Sequence, residues 1–319
     1  MSSHFGNPLF EQRQLLEGKT YVKRTDLSVI ELNGDPSLSW LHSISSQNLA
    51  NLKPGESAES LILDPHGHIE FQLKVIAKHD GAWVITLDQH REALMAWLNK
   101  MKFRNKVEIG TSSMSVVGAF TDLGLDSPCW IDPFGKEPIG SVRYSNNVPN
   151  WNYREYLVRD FQPALAPAGL MAYQALRIAA HRPEVTDVDE RSLPHEFDWL
   201  ASAVHLSKGC YRGQETIAKV HNLGHPPRRI ALLGLEQGDT LAHPGDPVFH
   251  GEREVGKVVA GALHFENGSI ALALLNRVTP YTDLTVCSQQ ATQEVIVPAD
   301  AGKSANLPRP SAFKLSGKK

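Results

Sequence analysis

Lys208-Gly209-Cys210-Tyr211-Arg212-Gly213-Gln214-Glu215 is the stretch on which the reading of this chain turns, and Thr216-Ile217-Ala218-Lys219-Val220-His221 continues it. Gly209 and Gly213 bracket a cysteine and admit backbone conformations closed to other residues, so a sharp turn is expected. Ile217, Val220 and Leu223 recur at helical spacing, and Gly224 ahead of Pro226-Pro227 ends that helix. Cys210 then falls just before a helix N-terminus, where unpaired N–H groups and the dipole favour negative charge. Lys208 and Arg212 act in the same direction, so the setting favours a reactive thiolate if the sulfur is accessible. The alternative is a small cysteine packed into a strand-to-helix turn.

Working outward, 319 residues are too many for one small core, and two or three packed units are expected. Lys plus Arg (32) against Asp plus Glu (35) leaves −3, which gives no sign of a strong nucleic-acid-binding surface. No apolar run reaches the length of a membrane span. The start, Met1-Ser2-Ser3-His4-Phe5-Gly6-Asn7-Pro8, lacks the basic and apolar regions of a secretory signal. Cys129, Cys210 and Cys287 are far apart with no C-x-x-C pair, which argues against a disulfide framework and a local metal or cluster site. A cytoplasmic protein is expected.

Leu27 to Leu32 alternate as a half-buried strand, and Gly34-Asp35-Pro36 turns into a helix with Leu38, Leu41 and Ile44 on its apolar stripe and Asp35 as its cap. Ala58–Leu63, Ile69–Lys78 and Trp83–Leu87 read as strands joined by Asp64-Pro65-His66-Gly67 and His79-Asp80-Gly81. Asp88 is placed to cap a helix bearing Leu94, Trp97, Leu98 and Met101. Strands follow at Val107–Ile109 and Ser115–Phe120. A long irregular connection, about 122–152, carries short strands at Cys129-Trp130-Ile131 and Gly140-Ser141-Val142-Arg143. Glu155–Val158 reads as a strand and Ala168–His181 as a helix. Beyond Pro227 short alternating segments at 229–235, 247–250, 255–262, 269–275, 284–287 and 294–297 spell a small barrel or sandwich. The expected class is α+β with a β-rich C-terminal unit. The basic, Pro- and Ser-rich end from about 301 to 319 reads as a flexible tail.

The octapeptide K-G-C-Y-x-G-Q-E resembles the signature of the YgfZ family, folate-binding proteins related to the T-protein (aminomethyltransferase) of the glycine cleavage system. Three further stretches are similar to the family: Ile30 to Asn48, with its strand, Gly34-Asp35 and Ser46-Gln47-Asn48 loop; Leu63-Asp64-Pro65-His66-Gly67, like its L-x-P-x-G turn; and Pro194-His195-Glu196. Leu176-Arg177-Ile178-Ala179-Ala180 resembles an L-R-[IL]-E-A-G segment, with Ala179 in place of the acid. The resemblance spans about Leu27 to Val297. It implies interleaved α+β units over about 20–225 and a C-terminal antiparallel barrel over about 226–300, forming a three-unit ring around a central folate channel.

The resemblance also implies a function: support of iron–sulfur cluster assembly or repair in client enzymes, tRNA-modifying ones included, with tetrahydrofolate as ligand. Cys210 and Lys208 are the candidate reactive residues within the signature set Lys208, Gly209, Cys210, Tyr211, Gly213, Gln214 and Glu215. A pterin wants a carboxylate for its adjacent N–H donors, an aromatic wall and a cation for its glutamate tail. Glu155, Glu196, Arg177 and Tyr211 are the candidates. An exposed acid on a strand edge is the competing reading of Glu155, and an ion pair that of Arg177. T-proteins carry paired acids after the L-x-P-x-G turn, where this chain has Phe71 and Gln72, with Glu70 one position away. That weighs against the rival reading, a folate-dependent aminomethyltransferase. A passive folate-binding module is the third reading. His205, His221 and His225 lie near Cys210 in sequence but read as surface residues.

Overall fold

The computed structural model describes residues 3–162, 164–236 and 240–304. The chain opens with α1 (Pro8–Leu16), β1 (Thr20–Lys23), β2 (Leu27–Asn33) and α2 (Ser37–Ile44). A meander follows of β3 (Ser57–Leu63), β4 (Ile69–Lys78) and β5 (Gly81–Leu87), then α3 (Arg91–Lys102), β6 (Glu108–Thr111) and β7 (Ser115–Ala119). After β8 (Cys129–Ile131), β9 (Arg154–Val158) and β10 (Ala166–Ala168) come α4 (Leu170–Ala179), α5 (Leu200–Ala203) and α6 (Gln214–Leu223). Six strands end the chain: β11 (Arg228–Leu235), β12 (Pro247–His250), β13 (Arg253–His264), β14 (Gly268–Asn276), β15 (Leu284–Val286) and β16 (Gln289–Val295).

These build two five-stranded sheets and a closed barrel. One sheet runs β3-β4-β5-β2-β6, and α2 and α3 cover it through a core of Ile30, Leu32, Trp40, Leu41, Leu73, Val84, Leu94 and Leu98. The other runs β10-β1-β7-β9-β8, backed by α1 and α4 through Leu15, Val22, Phe120, Trp151, Tyr153 and Tyr173. The strands of the first sheet all fall in sequence between β1 and β7 of the second, so the two units are interleaved. The barrel closes in the order β11-β14-β13-β12-β15-β16 with every pairing antiparallel. The α+β class with a C-terminal antiparallel barrel is therefore what the chain forms.

Several local expectations change. Residues 8–23, for which periodicity gives no element, form α1 and β1; Asn7 accepts from the N–H groups of Leu9 and Phe10, and Pro8 opens the helix. Asp35 does not cap α2, whose N-cap is Pro36. Asp88 starts a single 3₁₀ turn instead of capping α3, and its carboxylate takes Ser28 and Arg91. Gly140–Arg143 is not a strand: Ser141 Oγ donates to the Leu200 carbonyl and Leu206 N to that of Gly140, so the segment straps over α5. The last strand begins at Gln289, since Cys287 and Ser288 hold positive φ and make the tight turn that pairs β15 with β16. The expected tail lies outside the described residues from 305 onward.

Candidate functional site

The octapeptide lies between α5 and α6 and forms the turn the glycines call for. Gly213 takes φ of 83° as N-cap of α6. A Cβ there would meet the Asp64 carbonyl at 2.7 Å and Gly67 Cα at 2.9 Å, and Gly67 itself has φ of 85°. The signature turn thus sits directly on the L-x-P-x-G turn between β3 and β4, two motifs 146 residues apart in sequence. Beside the contact Arg212 pairs with Glu70 at 3.0 Å. Glu70 is skipped in the β3–β4 register, where Leu63 pairs Ile69 and Ile62 pairs Phe71. Cys210 and Gly209 are exposed at the outside of this joint.

Lys208 points the other way. Its ammonium donates to the carbonyls of His42, Ser45 (2.6 Å) and Gln47 (3.2 Å), which uses all three of its protons. Burial pulls its pKa down to about 8. The carbonyl of Lys208 accepts from Gln214, and its Nζ lies 5.1 Å from the Tyr211 ring centroid. Tyr211 is buried, which pushes its phenol up. The cations expected to favour a Cys210 thiolate are therefore engaged elsewhere, Lys208 with the Ser45–Gln47 loop and Arg212 with Glu70. Lys208 is a clamp on the loop that follows α2. That loop is fastened again by Ser46 Oγ to the Ala203 carbonyl, Leu61 N to Ser46 Oγ, and Gln47 Nε2 to the Ser202 carbonyl.

Between the two sheets lies a buried lattice of charges. Glu155 on β9 has no exposed surface and accepts from Lys74 (2.7 and 2.9 Å) and Arg24 (2.9 Å). Arg24 also reaches Asp26 and Glu184, while Tyr173 donates to Glu184. Arg177 grips Asp187 with two bonds of 2.8 and 2.9 Å and lies 3.3 Å from Glu184. Burial alone would push the Glu184 carboxyl up, but Arg24, Arg177 and Lys74 hold it well below the usual range. Buried charges persist only when paired in this way. Next to it, Glu59 takes Arg182, Gln72 and Ser202. Gln72 spends its amide on Glu59 and its carbonyl on Val185 N, and Phe71 packs edge-on to His90.

The structure thus joins Glu155 and Arg177 in one lattice and leaves Glu196 and Tyr211 outside it. Glu155 is neither at a strand edge nor free for a ligand. Arg177 is in an ion pair. Glu196 sits in a 3₁₀ turn, Pro194–Phe197, where Arg228 and Leu193 N take its oxygens. Of the three histidines, His205 packs its ring on Gly140, His225 bonds the Ala301 carbonyl and His221 bonds Tyr144 OH. Sequence reasoning missed Arg24, Glu59, Arg182, Glu184 and Asp187, which complete the lattice; the one signal was the run of charges Arg182, Glu184 and Asp187 directly after the apolar helix that ends near Ala180.

Two clefts border these groups. One, lined by Arg24, Gln72, Lys74, Thr86 and Glu184, has about 10 Å³ of room, no more than a water occupies. The other measures about 340 Å³ and is lined by Gln47, Asn48, Glu59, Lys136, Ser202 and His205 among others. Asn48 Oδ1 is buried there with no partner. The larger cleft falls within the range of small-molecule sites. Among the described residues no group of three or more His, Cys, Asp or Glu could hold a metal ion, and no helix is long and apolar enough to cross a membrane.

No protein-family model matches the chain. It is 33% identical over 309 residues to the putative transferase At1g60990, chloroplastic, of Arabidopsis thaliana, covering 84% of this chain and 69% of that protein. With an iron–sulfur cluster assembly factor IBA57 homolog, mitochondrial, of Phaeosphaeria nodorum, identity is 26% over 69% of this chain and 57% of that one. With the tRNA-modifying protein YgfZ of Vibrio atlanticus it is 23% over 75% and 76%. Among solved structures, aminomethyltransferase T of the glycine cleavage system from Bartonella henselae superposes with a TM-score of 0.70. It covers 92% of this chain and 89% of that one at 16% identity, a likeness of fold.

Proposed function

The chain belongs to the aminomethyltransferase-like family of the YgfZ and IBA57 proteins, and from that membership we propose that it supports iron–sulfur cluster assembly or repair in client proteins, RNA-modifying ones included. The observation that carries the reading is the presentation of Cys210: an exposed thiol on a turn fixed by Gly213 against Gly67 and by Arg212 against Glu70. A thiolate is a soft donor suited to iron and to cluster sulfur chemistry. Holding it on a rigid turn lets a client reach it with little ordering cost. Aminomethyl transfer lacks its acid pair, since Phe71 packs on His90 and Gln72 is spent on Glu59 and Val185.

Tetrahydrofolate is the ligand proposed with this function, a carrier of one-carbon units when bound. The groups around Glu155 do not fit a pterin as they stand, because Lys74 and Arg24 already fill its carboxylate and the adjoining space is about 10 Å³. The cleft at Asn48 fits better. About 340 Å³ gives room for a ring system, and a turn of the Asn48 side chain would bring its partnerless Oδ1 to the cleft wall as an acceptor for a ring N–H.

The test is complementation. A strain lacking this protein receives wild type or Cys210→Ser, and the activity of an iron–sulfur RNA-modifying enzyme is measured alongside the unfolding midpoint of each purified chain. Loss of client activity with an unchanged midpoint is expected. Full client activity with Cys210→Ser would remove the thiol from the function and leave a folate-binding module.

A further inference from the structure

The stretch Lys100-Met101-Lys102-Phe103-Arg104-Asn105-Lys106 carries four cations in seven residues and no acid. It forms the end of α3 and the reversal into β6. Phe103 is 85% exposed, the most exposed of the large apolar side chains among the described residues. Its φ is 50° and ψ −111°, a conformation that a bulky aromatic residue seldom adopts. The surroundings enforce it. Trp40 Nε1 donates to the Met101 carbonyl, and Asn105 donates to the Lys102 carbonyl through both its backbone and its side chain. Val107 is buried in the core, and the Lys106 carbonyl abuts Gly34 so closely that a Cβ there would lie 2.4 Å away. Both ends of the reversal are anchored while the aromatic ring is held in water.

Among the described residues no carboxylate pairs with Lys100, Lys102, Arg104 or Lys106. In sequence the nearest acid is Glu108, which begins β6, and Asp35 follows Gly34, against which the Lys106 carbonyl packs. Arg104 lies over the Phe103 ring at 5.9 Å, so ring and cation present one composite face. Whole-chain charge of −3 averages this patch away, although it is a local excess of four positive charges.

We propose that this tip is a contact surface for RNA, in which Phe103 stacks on an unpaired base while Lys100, Lys102, Arg104 and Lys106 meet the flanking phosphates. Cations interleaved with a presented aromatic match that chemistry, since every base has a face to stack and every nucleotide a charge to neutralise. An anionic membrane needs more apolar surface than Phe103 and the marginally exposed Met101 supply. The tip shares no residue with the Cys210 turn, so its failure would leave the cluster-support reading standing.

Binding of a fluorescein-labelled RNA hairpin with an unpaired loop to the full chain tests this by anisotropy. Four phosphate contacts give a slope of log affinity against log salt of about −3. Phe103→Gly is the decisive variant, because glycine accepts the positive φ and the fold should be at least as stable as wild type. It should nevertheless bind the hairpin about tenfold more weakly, as the loss of one stacked base requires. Lys102→Glu with Arg104→Glu should weaken binding and flatten the salt slope. The proposal is overturned if wild type does not bind the hairpin at low salt, if Phe103→Gly binds as wild type does, or if vesicles of anionic phospholipid are bound in preference to the hairpin.

Discussion

At the scale of single residues, the lesson lies in what each charge is already doing. Glu155 is a candidate pterin acid by resemblance and Lys208 a candidate reactive residue by its place in the signature, yet both are spent on internal partners. Lys74 and Arg24 hold Glu155, which has no exposed surface. Glu155→Gln therefore strands the buried Lys74 and removes one of the three carboxylates that Arg24 reaches, and breaking a buried pair costs about 3–5 kcal/mol. The expected result is a large drop in unfolding free energy in urea, whatever happens to ligand affinity. Asn48→Leu should behave oppositely. It removes an acceptor that has no partner, so stability should hold. Tetrahydrofolate affinity should then fall about three- to tenfold, the worth of one hydrogen bond. If Asn48→Leu binds the folate as wild type does, the cleft is not its site.

At the scale of elements, two turns decide where the thiol sits. The β3–β4 turn was legible from Asp64-Pro65-His66-Gly67 and the α6 start from Gly213, but nothing in either told that they touch. Their contact requires Gly213 to lack a Cβ, and a Cβ on Gly67 would crowd Thr216 at the start of α6 at 3.0 Å. Gly213→Ala would drive a methyl into the Asp64 carbonyl and Gly67 at a φ that L residues avoid. A cost of about 2 kcal/mol or more is expected. The loss should be local before it is global, with faster hydrogen exchange at residues 64–68 and at the start of α6. Unchanged exchange at both turns would show that the two motifs are not mechanically joined.

At the scale of the whole molecule, the strap at 140–147 ties the units together through titratable groups. Asp198, in a left-handed conformation, accepts from the N–H groups of Tyr144 and Ser145, and Tyr144 stacks on His195 and His221. Burial pulls His195 from its ordinary 6.5 down to about 4. Its folded pKa is depressed, so its stabilisation is complete above 6.5 and is lost as pH falls through 4. Burial pushes Asp198 from 3.8 up to about 6. Its folded pKa is raised, so its contribution is complete below 3.8 and is lost as pH rises through 6. The two oppose each other between about pH 4 and 6. Asp198→Asn removes one side of the balance, and asparagine keeps an acceptor and tolerates the left-handed backbone. Its unfolding free energy should fall by about 3 kcal/mol from pH 6.5 to pH 4, at about 1.4 kcal/mol per unit. Wild type should change less over the same range; equal slopes would mean that Asp198 does not titrate there.

What the sequence determined by itself was local and periodic: the meander from β3 to β5, α4, α6 and its glycine turn, the run of short strands beyond Pro227, and a motif specific enough to place the chain in its family. Each rests on neighbours a few residues apart, whose spacing fixes which face is apolar. What only the tertiary structure decided was the use of the polar groups. Whether Glu155 meets a pterin or Lys74, whether Lys208 faces a thiol or three carbonyls, and whether Phe103 is buried or held in water all depend on contacts between residues tens to hundreds of positions apart. Hydrophobic spacing carries no record of those partners. A buried charge must find a counter-charge, but the chain chooses which one only when its sheets close on each other.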